Sequence, residues 1–173
     1  MRTDQLTWFN QLPAQAAQQT LLECCAAPGW AEQMTAGRPY SSAEDAIKLS
    51  GAIVAALSAA DLAEALAGHP RIGEPPDSSK DAPRAAGWSA REQAGVDADD
   101  TQTRQELAEA NLEYERRFGH IYLVCASGRT GKELLALLRG RLQNDPMDEW
   151  RVVRTELQKI NVLRLRQLLA GVS

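Results

Sequence analysis

The chain holds only two histidines in 173 residues, and one of them, His69, lies in the stretch GHPRIG at the end of a helix-patterned segment. Imidazole titrates near neutral pH and can both take and return a proton within one turnover. Pro70, directly after it, biases the His69 backbone towards extended geometry and so restricts where the ring can aim. The same position also suits a histidine that satisfies the last carbonyls of a helix and interacts with its dipole; spacing alone leaves both open. A second group is Ser89-x-x-Glu92-Gln93. Ser-x-x-Glu is a capping-box pattern, and a helix start offers N–H groups that can hold a carbonyl oxygen or an anion. Glu92 and Gln93 would add an acceptor and a two-way hydrogen-bonding amide, the mixture that a ureido or amide ligand requires.

A third group is LVCASGR, Leu123 to Arg129. Extended backbone with no strand beside it must place its N–H and C=O groups on water, on loops or on a flat polar ligand. The plainer alternative is a buried connector whose side chains are core. Arg164, among Leu163, Leu165 and Leu168, either snorkels outwards or pairs with an anion, and Arg166 reads as its solvated neighbour. His120, just past a helix-ending glycine, reads as a structural or surface residue. The nearby SGRTGKE is no phosphate-binding P-loop, because Ala126 stands where that motif needs glycine and Glu133 where it needs Ser or Thr.

Bulk properties narrow the classes. The net charge of −4 argues against nucleic acid or an anionic membrane as the main partner. Cys24, Cys25 and Cys125 are odd in number and have no CxxC spacing, so they read as small core residues in a reducing compartment, with no metal site expected. The N-terminal stretch lacks an apolar signal region, no run reaches a membrane span, and the last residues are not a peroxisomal signal, so a cytoplasmic location is expected.

The elements that must position these residues are helical. Ala, Leu, Gln, Glu and Arg dominate and favour helix. Periodicity predicts helices from Asp4 to Gln11 and from Pro13 to about Ala27, where Gly29 breaks the second, and a short turn from Trp30 to Met34. A capping box at Ser41 and Glu44 precedes a central helix, and another helix starts at Ser58 or Asp61 and ends at Gly68 in a left-handed cap. From His69 to Trp88 the chain carries four of its eight prolines, a connection long enough to be functional. Further helices are predicted to nucleate at Trp88-Ser89, to run up to Gly119, and to fill Arg129–Gln143 and Asp148–Gly171. The expected fold is all-α: a single-domain helical bundle over 1–173 with one long ordered loop and one short extended segment, IYLVC.

Taken in order, FN…CC…W…RPY, HPRIG, S-x-x-EQAG, FG…CASGR…RLQNDP and a final LRL resemble the 2-oxo-4-hydroxy-4-carboxy-5-ureidoimidazoline (OHCU) decarboxylases, which complete the conversion of uric acid to allantoin. The resemblance spans Phe9 to about Leu165. It implies an all-helical, cofactor-free, commonly dimeric carboxy-lyase that makes (S)-allantoin and CO2. It implies His69 as the catalytic residue, with Glu92 orienting it or the substrate. Pro70, Ser89, Gln93, Arg164 and the segment Val124, Cys125, Ala126, Ser127 and Gly128, mainly through its backbone, would contact substrate. His120-Ile121-Tyr122 departs from an aromatic-Pro-aromatic pattern. The alternative class is a non-catalytic helical module that binds a small anion or a protein partner.

Overall fold

The computed structural model describes residues 4–74, 83–97 and 101–170. Every regular element among them is a helix: α1 Gln5–Gln11, α2 Ala14–Cys24, α3 Pro28–Ala36, α4 Ala43–Ala56, α5 Ala59–Ala67, α6 Pro83–Glu92, α7 Ala94–Asp97, α8 Thr101–Phe118, α9 Gly131–Arg141 and α10 Pro146–Ala170. The all-α expectation holds. The long connection is only partly tested: residues 71–74 form turns, 83–88 already belong to α6, and 75–82 lie outside the described residues. Two compact units emerge, one from residues 1–68 with 157–173 and one from residues 69–156. No single helix among the described residues is long and apolar enough to cross a membrane.

In the first unit, Asp4 accepts from the Leu6 amide at 2.9 Å and starts α1. Arg38 Nη1 closes the other end, donating to the carbonyls of Phe9 at 2.8 Å and Leu12 at 2.9 Å, at a helix C-terminus where carbonyls run short of intrahelical donors. Asn10 Nδ2 donates to Tyr40 O at 2.8 Å, and Tyr40 N donates to Asn10 Oδ1 at 2.9 Å. The FN and RPY motifs therefore interlock as a structural clasp. Trp30, fully buried, donates from Nε1 to Ser50 Oγ at 3.1 Å, and Ser50 donates to Gln158 Oε1 at 3.1 Å.

Several boundaries differ from the sequence expectation. Gly29 lies inside α3, and the break falls at Cys25–Ala27, ahead of Pro28. The cap of α4 is Ser42, accepting from Asp45 N, one residue later than expected; Ser41 instead donates to the Asp45 carboxylate at 2.7 Å. Of the two expected starts of α5 the cap is Ser58, which forms a capping box with Asp61. Gly68 is no left-handed cap: its φ is −84°. Its smallness serves close packing, because a Cβ there would lie 2.4 Å from the Ala26 Cβ.

In the second unit, α8 packs against α9. Leu107, Tyr114, Tyr122, Leu134 and Leu138 are buried together with Ile72 and Val96. This core ties the loop after His69 and the α6–α7 turn to the same helices. α10 begins with Asp145 accepting from Met147 N at 2.9 Å and Pro146 in its first turn. Its residues up to Glu156 belong to the second unit and those from Leu157 to the first.

Candidate functional site

His69 and Pro70 open the second unit, both half-buried. The three residues that follow are tightly held. Gln93 accepts from Gly73 N at its Oε1 (2.9 Å) and donates from Nε2 to Arg71 O (3.4 Å). Asn111 Nδ2 donates to Ile72 O at 2.9 Å. The Arg71 guanidinium meets the Glu115 carboxylate twice, at 2.5 and 3.0 Å. Hydrogen bonding and charge from Arg71 hold the Glu115 carboxyl below the usual carboxylate range. A depressed acid stabilises the folded state above its unfolded pKa and loses that contribution as pH falls through the lower, folded value. The pair is therefore intact across the neutral range.

Ser89 and Glu92 lie elsewhere on their helix than the capping pattern implied. α6 starts six residues before Ser89, so Ser89 sits at the end of its second turn and Glu92 is its last residue. Ser89 is buried, and its carbonyl accepts from Gln93 N at 3.1 Å. The expectation of a helix N-terminus presenting N–H groups at Ser89 is overturned. The physical reason is Pro83 in the first turn, where its fixed φ favours helix, together with burial of Trp88, which carries the helix through Gly87.

The α6–α7 turn also reaches the third motif. A Cβ on Gly95 would fall 2.1 Å from the carbonyl oxygen of Arg129 and 3.7 Å from Thr130 Cα. The glycine of EQAG is thus the point where α7 lies against the backbone following CASGR. Gly95→Ala should force the two segments apart and cost about 1–3 kcal/mol of stability, as overpacking generally does; urea unfolding measures it, and an unchanged midpoint would contradict the close approach.

The segment 121–130 runs extended into a turn in which Arg129 N donates to Ala126 O at 3.0 Å, with Gly128 at φ +76°. Only glycine takes that left-handed position without strain. Side chains from α9 and α10 engage its backbone: Cys125 N–H donates to Glu156 Oε2 at 2.8 Å, and Leu123 O accepts from Arg141 Nη1 at 2.7 Å. Val124 and Ala126 are buried, Cys125 half-buried, and Ser127 and Gly128 exposed. Behind the segment lies a buried polar network. Glu149, fully buried, accepts from Arg141 Nε at 2.7 Å, from Asn144 Nδ2 at 2.7 Å and from the Tyr114 hydroxyl. Burial, reinforced by the Glu149 carboxylate, pushes the Tyr114 hydroxyl well above its ordinary pKa, so it serves as a donor. The RLQNDP motif is this network together with the start of α10. His120 joins it as structure, its ring centroid 4.2 Å from that of Trp150 and 5.5 Å from that of Tyr114.

Arg164 belongs to the first unit. It is 2% exposed and donates from Nη1 to Cys24 O at 3.1 Å. Cys24 and Cys25 are buried, and burial pushes the Cys25 thiol up, against a nucleophilic role. Among the described residues, no group of three or more His, Cys, Asp or Glu could hold a metal ion.

Three residues that hold the site together were missed by sequence reasoning: Asn111, Glu115 and Glu156. Two carried a signal. Asn111 falls four residues after Leu107 and three before Tyr114, on the apolar stripe of α8. Glu156 falls between Val153 and Ile160 on the corresponding stripe of α10. A polar residue on a buried stripe calls for a partner.

The OHCU decarboxylase family model matches residues 10–166. The chain is 32% identical over 145 residues to the uric acid degradation bifunctional protein TTL of Arabidopsis thaliana, covering 84% of this chain but 45% of that protein; it thus spans about half the length of that relative. It is 31% identical to the 2-oxo-4-hydroxy-4-carboxy-5-ureidoimidazoline decarboxylase of Mus musculus, over 78% of this chain and 75% of that one. Among solved structures, an OHCU decarboxylase crystallised in the presence of (S)-allantoin superposes with a TM-score of 0.73 at 30% identity, covering 87% of this chain and 98% of that one.

Proposed function

Because the chain belongs to the OHCU decarboxylase family, we propose that it decarboxylates OHCU to (S)-allantoin and CO2 without a cofactor. The observation that carries the assignment is local to the second unit. Gln93 bonds to the backbone of the HPRIG loop, and Gly95 packs on the backbone that follows CASGR. Three of the motifs that mark the family are therefore in contact with one another through Gln93 and Gly95.

The substrate supplies its own electron sink. As the bond to the carboxylate breaks, its electron pair passes into the adjacent C=N bond, whose nitrogen takes a proton. The resulting enol is then protonated at the ureido-bearing carbon while the hydroxyl gives up its proton, and protonation on one face sets the handedness. His69 handles this proton, within the ordinary reach of general acid–base catalysis, and Glu92 orients the ring or takes the hydroxyl proton. Ser89, Gln93 and the backbone of Val124, Cys125, Ala126, Ser127 and Gly128 hold the ureido and ring amides beside Pro70. The chain works as one domain over 1–173, in the cytoplasm, as a homodimer.

The test supplies freshly generated OHCU and follows allantoin by circular dichroism. The expected signal is the S form appearing faster than spontaneous decay. Racemic allantoin at the uncatalysed rate would overturn the assignment and return the chain to a non-catalytic binding module.

A further inference from the structure

α8 contributes no candidate substrate contact, yet two of its side chains reach the loop that follows the His-Pro pair. Asn111 and Glu115 are four residues apart and so share one face of the helix. Asn111 is 4% exposed and donates to Ile72 O at 2.9 Å. Its neighbours on the stripe, Leu107, Ala110 and Tyr114, are apolar or aromatic core residues. An amide placed there carries a desolvation cost that one backbone hydrogen bond offsets. Glu115 holds Arg71 bidentately, at 2.5 and 3.0 Å, the geometry in which a guanidinium and a carboxylate fix each other's orientation as well as attract. Gln93 pins the next residue from the other side through Gly73 N. Residues 71, 72 and 73 are thus each tied to a different side chain. The rigid Pro70 is the only residue between them and His69.

We propose that Asn111 and Glu115 are positioning residues for the decarboxylation, aiming the His69 ring by fixing the loop that follows it. The proposal rests on His69 being the proton-handling group. Neither residue touches the substrate, so both act on turnover more than on binding. A displacement of about 1 Å in a catalytic group can cost on the order of 10²-fold in rate, and the loss of Asn111 removes the buried hydrogen bond to Ile72 O.

Asn111→Ala is expected to lower kcat about 10²-fold and Glu115→Gln about tenfold, by the same sensitivity to position, with KM for OHCU within about twofold in both. Exchanging the charges, Arg71→Glu with Glu115→Arg, restores the ion pair and should recover most of the activity that Glu115→Arg alone removes. In a His69→Ala background, Asn111→Ala and Glu115→Gln should have no further effect, the non-additivity of residues that act as a unit. A second readout needs no turnover. With only two histidines in the chain, the imidazole C–H region of the NMR spectrum holds two signals, and His69→Ala identifies its own. Glu115→Gln, at a half-buried position where folding is safest, should shift or broaden the His69 signal and leave the His120 signal in place. The proposal is overturned if the unaltered chain makes (S)-allantoin while both single variants keep wild-type kcat. It is equally overturned if they lose the same factor with and without His69, or if the His69 signal is unmoved. Racemic product from the unaltered chain would instead remove the premise, and the proposal with it.

Discussion

Replacing His69 with alanine is expected to lower kcat/KM for OHCU by about 10² to 10⁴-fold, the range that general acid–base groups contribute. The product should drift from S-allantoin towards the racemate as spontaneous decay competes. His69 follows the last turn of α5 and precedes a proline, and the three residues beyond are bonded to Gln93, Asn111 and Glu115. A histidine that served only as a helix cap would need no such anchorage of the chain after it. Removing the imidazole deletes the proton donor and leaves that anchorage standing, so thermal stability should change little. Circular dichroism of the product measures handedness, and the initial rate measures turnover. Stereospecific formation at the wild-type rate would remove His69 from the mechanism.

The largest stability effect is expected at Glu149. This carboxylate is fully buried and receives Arg141, Asn144 and the Tyr114 hydroxyl. Glu149→Ala leaves the Arg141 guanidinium, itself 8% exposed, as a buried charge without its counter-ion. Breaking one partner of such a pair costs about 3–5 kcal/mol, which for a chain of this size lowers Tm by roughly 6–20 °C. Activity should fall as well, because Arg141 also holds Leu123 O at the entry to the extended segment. A double replacement, Arg141→Met with Glu149→Leu, should recover part of the loss, since removing both charges is far cheaper than stranding one. It should not recover all of it, because Leu123 O then loses its donor and a buried carbonyl without a partner costs about 1–3 kcal/mol. Denaturant unfolding of the unaltered chain, Arg141→Met, Glu149→Leu and the double replacement gives the coupling directly; purely additive losses would mean that the two side chains do not act as a pair.

Legibility differed from residue to residue. The start of α5 near Ser58 and the end of α8 at Gly119 were readable because caps are local: the groups concerned lie within a turn of each other. The start of α6 was misread because the Ser89-x-x-Glu92 pattern imitates a cap in the middle of a helix, and burial of Trp88 outweighed the weak helix preference of Gly87. Gly68 was assigned a backbone role when it has a packing one, the approach of Ala26, forty-two positions earlier. His120-Ile121-Tyr122 stood out as a departure from the motif pattern, and its aromatic rings proved to pack on Tyr114 and Trp150.

By itself the amino-acid sequence determined the helical class, the place of His69 beside a rigid proline, and the order of motifs that marks the family. Each of these is written in short-range spacing or residue identity, which no distant contact can change. Only the tertiary structure decided what surrounds those residues. Gln93 bonds to the loop at 71–73, Asn111 and Glu115 reach that loop from forty residues away, and Glu156 takes the Cys125 amide. Hydrogen-bond partners of buried groups are chosen by proximity in the folded chain, and a linear pattern can show that a partner is needed but not which group it is.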